Sequence, residues 1–412
     1  VFTRIKHVMS RQRAPWEKAL FVLWFGCFMV GIAFSEIMPF LSLYVDTLGK
    51  FSKAQLNLYS GLTFSATYLV AAIASPIWGR LADQKGRKLM LLRASLGMAF
   101  VFGLMGVVTN VWQLIALRFT QGIFSGYISN ANALMATEAP KEKSGQALGT
   151  LVTGIVTGNL LGPLLGGVLA DMFGYRITFI ITGFILLSVF FLTFFLVHED
   201  FKPVAKKAML STPAVIKKLL RPQLVVGMFV TTLIIQISNN SINPILSLYV
   251  REIMHHHGNI ALISGLVASI PGVANVIAAP RLGRLGDRIG TDRVLLIGMA
   301  FAILVYIPMA FVTNVWQLVG LRLLVGISDA AMLPAVQTLL AKNSPAAVTG
   351  RVFSWNQSFQ NVGMFLGPML GSVISGGFDY GGVFISTSIL VVVNIIWVGF
   401  NTAPLRAERR QN

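Results

Sequence analysis

Twelve apolar runs of about 20 or more residues take up most of this 412-residue chain. They fall at roughly 19–45, 56–78, 89–109, 111–136, 146–170, 177–197, 223–250, 260–280, 294–313, 315–341, 352–375 and 381–402. A helix rises about 1.5 Å per residue, so each run can cross a hydrocarbon core of ~30 Å with some tilt. Charged residues make up only 12% of the chain, against about 25% in soluble domains. The expectation is an all-α membrane protein of twelve transmembrane helices, with no loop large enough to fold as a soluble domain.

The runs are not independent of one another. The stretch Gly79-Arg80-Leu81-Ala82-Asp83-Gln84-Lys85-Gly86-Arg87-Lys88 returns about 204 positions later as Gly283-Arg284-Leu285-Gly286-Asp287-Arg288-Ile289-Gly290. The same offset carries Asn110-Val111-Trp112-Gln113-Leu114 onto Asn314-Val315-Trp316-Gln317-Leu318, and Arg118 onto Arg322. Self-similarity over half a chain marks two repeated bundles. The boundaries read as 1–197 for the first six-helix bundle, 198–222 for a linker and 223–412 for the second bundle. Within the linker, Ala214 to Leu220 reads as a short amphipathic piece lying on the membrane surface.

A net charge of +18 raises the question of nucleic acid, and the placement of the basic residues answers it. Of 33 Lys and Arg, 27 lie at the two termini or in even-numbered loops and four, Lys50, Lys53, Arg176 and Arg251, in odd-numbered loops. The other two, Arg118 and Arg322, lie inside spans. This is the positive-inside pattern, and it places both termini in the cytoplasm of a multi-pass protein of the inner, cytoplasmic membrane. The excess charge is read as topology and attraction to anionic lipid.

Other residue types narrow the field further. The apolar region from Trp16 to Tyr44 is too long for a cleavable leader. Cys27 is the single cysteine, so no intrachain disulfide or cysteine metal cluster is expected. His255, His256 and His257 lie side by side in an odd loop without helical spacing and read as solvated. No metal and no cofactor is expected. A membrane-embedded enzyme would need nucleophile or acid-base residues clustered at one depth, and all five histidines lie outside the spans.

Polar residues inside spans are costly and therefore informative. Glu36, Arg118, Arg322 and Asp329 lie deep in apolar runs, where each costs roughly 2.5–3.5 kcal/mol on insertion scales if unpaired. In the fourth span Arg118, Gln121, Gly122, Ser125, Ser129 and Asn132 recur at three- and four-residue steps and are expected to form one stripe on one helix, facing the interior. The seventh span carries Gln236, Asn239, Asn240 and Asn243, and the eleventh Asn356 and Gln360. Arg322 and Asp329, two turns apart, can meet directly or through water. In the fifth span Gly154, Gly158, Gly162 and Gly166 recur every fourth residue beside Pro163 and Gly167, and Gly363, Gly367, Pro368 and Gly371 echo them in the eleventh. Small residues at that spacing let two backbones approach closely, and proline bends the rod.

With these residues assembled, the chain resembles the major facilitator superfamily, and within it the twelve-helix drug/proton antiporters. Gly79-x-Leu81-x-Asp83-x-x-Gly86-Arg87-Lys88 matches the superfamily's loop motif. Leu114-x-x-x-Arg118-x-x-Gln121-Gly122 matches the fourth-span motif of proton-driven members. Gly158-x-x-x-Gly162-Pro163-x-x-Gly166-Gly167 matches the antiporter motif. The second loop copy departs after Gly290, at Thr291-Asp292-Arg293.

The resemblance implies two six-helix bundles related by a pseudo-two-fold axis and rocking about a midplane cavity, lined by the first, fourth, seventh and tenth spans. It also implies a gating loop of Gly79, Asp83, Gly86 and Arg87, with Asp83 facing the start of the eleventh helix near Gly350 and Arg351. Gly79 and Gly86 are expected where close approach and a tight turn leave no room for a side chain.

Burial favours the protonated form of a carboxylate and a nearby arginine the ionised form, so motion relative to arginine can load and unload a proton. Glu36, tuned by Arg118, is the first candidate carrier and attraction point for cationic cargo, with a static hydrogen-bonding role as the alternative. Asp329 with Arg322 is the second. Phe34, Glu36, Phe124, Tyr127, Asn132, Gln236, Asn240, Trp355 and Phe359 are the candidate cargo contacts, with Tyr68 a further ring, although such rings serve packing equally well. The expected function is proton-driven export of amphipathic, lipophilic or cationic drugs by a monomer in contact with membrane lipid, the proton being the coupling ion. The alternative within transport is a facilitator or symporter of a defined metabolite such as a sugar or lipid.

Overall fold

The computed structural model describes residues 15–140, 143–199, 201 and 212–405. The basic residues Arg4 to Arg13, Lys141, the linker lysines Lys202, Lys206 and Lys207, the tail arginines and the side chain of Asp83 lie outside the described residues. Everything regular among the described residues is helix.

In chain order the helices are α1 (Pro15–Ser35), α2 (Leu41–Thr47), α3 (Lys53–Lys85), α4 (Arg87–Met105), α5 (Val111–Ile123), α6 (Tyr127–Glu138), α7 (Ser144–Phe173) and α8 (Tyr175–Leu196). They continue with α9 (Thr212–Lys217), α10 (Pro222–Ser241), α11 (Asn243–Ile253), α12 (Ile260–Ile289), α13 (Thr291–Met309), α14 (Val315–Lys342) and α15 (Ala346–Asn401). Among the described residues ten stretches are long and apolar enough to cross a membrane as one piece. Twelve crossings result because the fourth is built from the two short helices α5 and α6, and because α15 holds two crossings joined by a turn at Phe378 and Asp379, the latter with φ 65°. The first and seventh crossings also break, between α1 and α2 and between α10 and α11.

Loop chemistry explains where several rods begin. Ser52 Oγ accepts from the Gln55 amide at 3.3 Å while Gln55 returns a bond to the Ser52 amide at 3.0 Å, a reciprocal cap on α3. The repeated Asn-Val-Trp-Gln-Leu has the same purpose in both halves. Asn110 caps α5 through the Gln113 amide at 3.0 Å, and Asn314 caps α14 through the Trp316 amide at 2.8 Å. Trp112 and Trp316 stand exposed beside these caps, as interfacial aromatics do.

Each half packs its first crossing on its fifth, second on fourth and third on sixth, or the equivalents in the second half. The halves meet where the second crossing packs on the eleventh and the fifth on the eighth. The end bearing the odd-numbered loops is tied by ion pairs across the halves: Arg251 to Asp46 at 2.6 Å, and Lys53 to both Asp379 (2.5 Å) and Glu252 (3.3 Å). Near that end a Cβ on Gly61 would strike Ser372, and one on Gly265 the Pro163 carbonyl. At the opposite end Gly79, Gly145, Gly283 and Gly350 have open space around them. These ion pairs and glycine contacts between the halves thus lie toward the odd-loop end.

Two sequence expectations need correction here. Gly79 does not sit at a close approach in this conformation, whereas Gly86 does need to be glycine, with φ 96° and the Glu199 carboxylate against it. The end of the linker is also less of a surface piece than its pattern suggested. Val215 and Leu219 are buried in the protein's own core, and the Leu220 amide bonds the Asn343 carbonyl, while Ile216 and Leu220 remain exposed.

Candidate functional site

The fourth crossing does not carry one continuous polar stripe. The rod stops at Phe124 and restarts at Tyr127 because Gly126 takes a left-handed φ of 106°. A broken helix in a membrane must satisfy its free carbonyls from within the protein. Here Arg93, on α4, donates to the carbonyls of Ile123 (3.0 Å) and Ser125 (2.7 Å), and its guanidinium stacks 3.8 Å over the Trp78 ring. Arg93 therefore braces the break and is not one of the loop cations. The break splits the expected stripe into Arg118, Gln121 and Gly122 on α5, and Ser129 and Asn132 on α6.

Arg118 is buried and donates Nε to the Thr63 carbonyl (3.0 Å) and Nη1 to Gln121 (2.5 Å). Arg322 repeats the first of these bonds, donating Nε to the Val267 carbonyl at 3.3 Å. Both arginines brace the same helix pair in their own half. Among the described residues neither forms an ion pair, so Arg118, expected to tune Glu36, does not touch it in this conformation. Arg322 and Asp329 likewise bond to other groups.

Glu36 lies in the break between α1 and α2, 1% exposed, where Thr182 Oγ1 of the sixth crossing donates to Glu36 Oε1. The glycine stripe of α7 makes this burial possible. A Cβ at Gly158 would strike the Phe28 carbonyl, at Gly162 Ser35 Oγ, and at Gly166 the Glu36 carbonyl. Gly167 faces the other way, against Ala261 of the eighth crossing. The antiporter-motif glycines thus press the fifth crossing onto the first, with Glu36 sealed among the first, fifth and sixth and facing no open cavity. That removes Glu36 from the cargo contacts in this conformation.

The second half has the same construction with a different polar residue. About 205 positions on, Ser241 replaces Glu36 and Thr387 replaces Thr182, their hydroxyls 3.1 Å apart, with Gly371 pressed against the Ser241 carbonyl. The acid of this half sits elsewhere. Asp329 Oδ1 accepts from Asn239 Nδ2 at 2.9 Å, and Tyr306 Oη donates to Asn239 Oδ1 at 3.1 Å. Thr182, Tyr306 and this use of Asn239 escaped the sequence reading. Thr182 was within reach, because the halves align it with Thr387.

The cargo candidates divide. Tyr127 is 1% exposed, packs over Gly26 and pairs its hydroxyl with Thr193 at 3.0 Å, so it is a packing residue. Phe124 presses on Gly97 of the third crossing, and Phe34 and Tyr68 are half-buried. Gln236 and Asn240 bond each other at 3.0 Å, and Asn132 keeps a buried Oδ1 with no partner. Phe359 stacks on Phe229 at 5.3 Å, and Trp355 meets Phe229 edge-on while Arg351 lies 5.9 Å over its ring. No group of three or more His, Cys, Asp or Glu suited to a metal occurs among the described residues.

The chain matches the profile of the Major Facilitator Superfamily over residues 23–263 and 228–412. It is 54% identical over 391 residues to the multidrug resistance protein MdtG of Salmonella heidelberg, covering 94% of this chain and 97% of that one. It is 53% identical over 393 residues to the protein of the same name from Escherichia fergusonii, covering 95% and 96%. In fold it is similar to a bacterial homologue of the human lysosomal transporter Spinster, solved inward-facing and occupied, with TM-score 0.79 at 14% identity over 94% of this chain and 97% of that one. The nucleoside transporter NupG is similar at TM-score 0.73 and 13% identity, over 94% and 100%. With two six-helix halves, the motifs in place and this extent of identity, the chain belongs to the major facilitator superfamily of membrane transporters and is a relative of the MdtG proteins.

Proposed function

We propose that this protein is a proton-driven antiporter that exports amphipathic or lipophilic cationic small molecules across the cytoplasmic membrane by alternating access. The observation that carries the reading is a carboxyl group inside a membrane crossing of each half, Glu36 buried against a threonine hydroxyl and Asp329 half-buried against an amide. Neither is locked to an arginine. A buried acid held by a neutral partner can exchange a proton without breaking an ion pair, which a coupling residue requires. The kinship with proteins named for multidrug resistance supports the cargo class.

In this reading 1–197 and 223–412 are the moving bundles, joined by 198–222, with both termini cytoplasmic and the monomer as the working unit. The ion pairs Arg251–Asp46 and Lys53–Asp379 close the outer side, and the open space at Gly79 and Gly350 belongs to an inward-facing state. In the opposite state Asp83 and Arg87 of the loop motif would meet the start of the eleventh crossing near Arg351. Phe34, Phe124, Asn132, Gln236, Asn240, Trp355 and Phe359 are the proposed cargo contacts. Mixed apolar walls with few fixed charges suit ligands bound by burial. No cofactor is required, since an entering proton supplies about 2.3 kcal/mol per 100 mV and about 1.4 more per pH unit.

The test is dye efflux in inverted vesicles under an imposed pH gradient, comparing wild type with Glu36→Gln and Asp329→Asn. Gradient-driven transport lost in either variant, at unchanged expression, supports the reading. Transport indifferent to the gradient rejects it in favour of a facilitator.

A further inference from the structure

We infer that Asn239 and Tyr306 are positioning residues for Asp329, setting which protonation form of that acid the protein accommodates. The inference rests on the proposed role of Asp329 as a proton site and adds two groups to it.

The argument starts from the donors and acceptors of an amide. Asn239 carries two donors on Nδ2 and an acceptor on Oδ1, and its side chain can in principle turn either edge toward a neighbour. Tyr306 removes that freedom. It is 1% exposed, its hydroxyl donates to Asn239 Oδ1 at 3.1 Å, and so the amide turns Nδ2 toward Asp329, 2.9 Å away. A flipped amide would set Nδ2 against the tyrosine and strand a buried hydroxyl hydrogen, which the low polarity of the site penalises.

Asp329 therefore meets a donor at Asn239. A carboxylate accepts from that donor more strongly than a protonated carboxyl group does, and the protonated form also needs an acceptor for its own hydrogen. The other ionisable group acting on the acid, Arg322 on the same helix, is turned to the Val267 carbonyl. In this conformation the chain Tyr306–Asn239–Asp329 thus favours the acid after it has given up its proton. This is the form an antiporter needs once its proton has reached the inner side. A proton taken up at Oδ2 weakens the bond from Asn239 to Oδ1 and brings a hydrogen that needs an acceptor, and the three residues lie on three crossings, the ninth, seventh and tenth, whose relative motion can supply one.

The arrangement is particular to one half. About 205 positions earlier the equivalents are Phe34 for Asn239, Phe102 for Tyr306 and Ser125 for Asp329, so the triad is not part of the shared architecture of the repeat. All three positions differ together, as expected of parts that work only as a set.

The experiment uses the full-length protein in liposomes with ethidium as the cargo probe. It measures transport driven by an imposed pH gradient and, separately, ethidium exchange without a gradient. Tyr306→Phe and Asn239→Ala are each expected to lower gradient-driven transport about tenfold, the scale of one charge-assisted hydrogen bond, while exchange stays within about twofold of wild type. A variant unaltered in both measurements overturns the inference. So does one that loses both to the same degree, since that is a packing defect. Wild-type protein that ignores the gradient sinks the antiport reading and this inference with it, whereas gradient-driven wild type beside an unimpaired Tyr306→Phe sinks the inference alone.

Discussion

Thr182 on the sixth crossing donates its hydroxyl to the carboxyl group of Glu36 on the first, and it is the side-chain partner that this buried acid has. Removing the donor strands the acid in an apolar enclosure. Thr182→Val is expected to lower stability by about 1–3 kcal/mol, and Thr182→Ser to restore most of it. Thermal unfolding of the purified protein in detergent reads both.

Replacing the acid itself separates function from fold. Glu36→Gln keeps a group that accepts from Thr182, so the amount of folded protein should stay near that of wild type. Gradient-driven dye export should fall to background. Export that persists in this variant would remove Glu36 from proton coupling and leave Asp329 as the remaining candidate.

Lys53 holds Asp379 and Glu252 from the other half while its ammonium lies 4.5 Å over the Tyr380 ring. Its side chain is about half exposed, so each pair is worth only about 0–1 kcal/mol and weakens with salt. Lys53→Met should therefore leave the fold intact and open the outer end more often. In a Cys27→Ala background, a cysteine at Ser42, fully buried there against the Pro244 carbonyl, should react with a maleimide up to about fivefold faster in that variant.

Arg93 and Trp78 hold together the break in the fourth crossing. Arg93→Met leaves the carbonyls of Ile123 and Ser125 without their donor and should cost about 1–3 kcal/mol, read as a lower midpoint of thermal unfolding. The neighbouring Arg80, exposed on α3, should tolerate the same change.

Glycines at contacts and in open space should respond differently to a methyl group. Gly166→Ala and Gly371→Ala each push a Cβ into a backbone carbonyl of the first or seventh crossing and should cost about 1–3 kcal/mol. Gly145→Ala meets nothing within 4 Å and should fold normally. The amount of monodisperse protein recovered after size exclusion distinguishes the two outcomes.

Much of the architecture was legible because it depends on patterns that survive in one dimension. Apolar length gives the crossings, the basic residues alternate with them, and the repeat offset pairs Asn110 with Asn314 and Arg118 with Arg322. The site was less legible because its bonds run between crossings far apart in sequence. Only the alignment of Thr182 with Thr387 across the repeat sets it apart, and Tyr306 reads as one more aromatic in an apolar run. The polar stripe of the fourth crossing misled for a different reason. Three- and four-residue spacing describes a helix only while the backbone stays helical, and one glycine at position 126 ends it. Arg93 was counted with the loop charges because its distance from Lys88 along the chain is short, although one helical turn is enough to carry it into the membrane.

The two halves share a repeat but not a stiffness. The fourth crossing is jointed at Gly126, while the tenth, α14, runs unbroken from Val315 to Lys342. A jointed rod can bend at one point and leave its ends in place, whereas the tenth has only Pro334, which offers no amide to the Ala330 carbonyl, as a place to bend. Asp329 lies just before that proline, so a bend there would swing the far end of the rod past an acid that stays where it is.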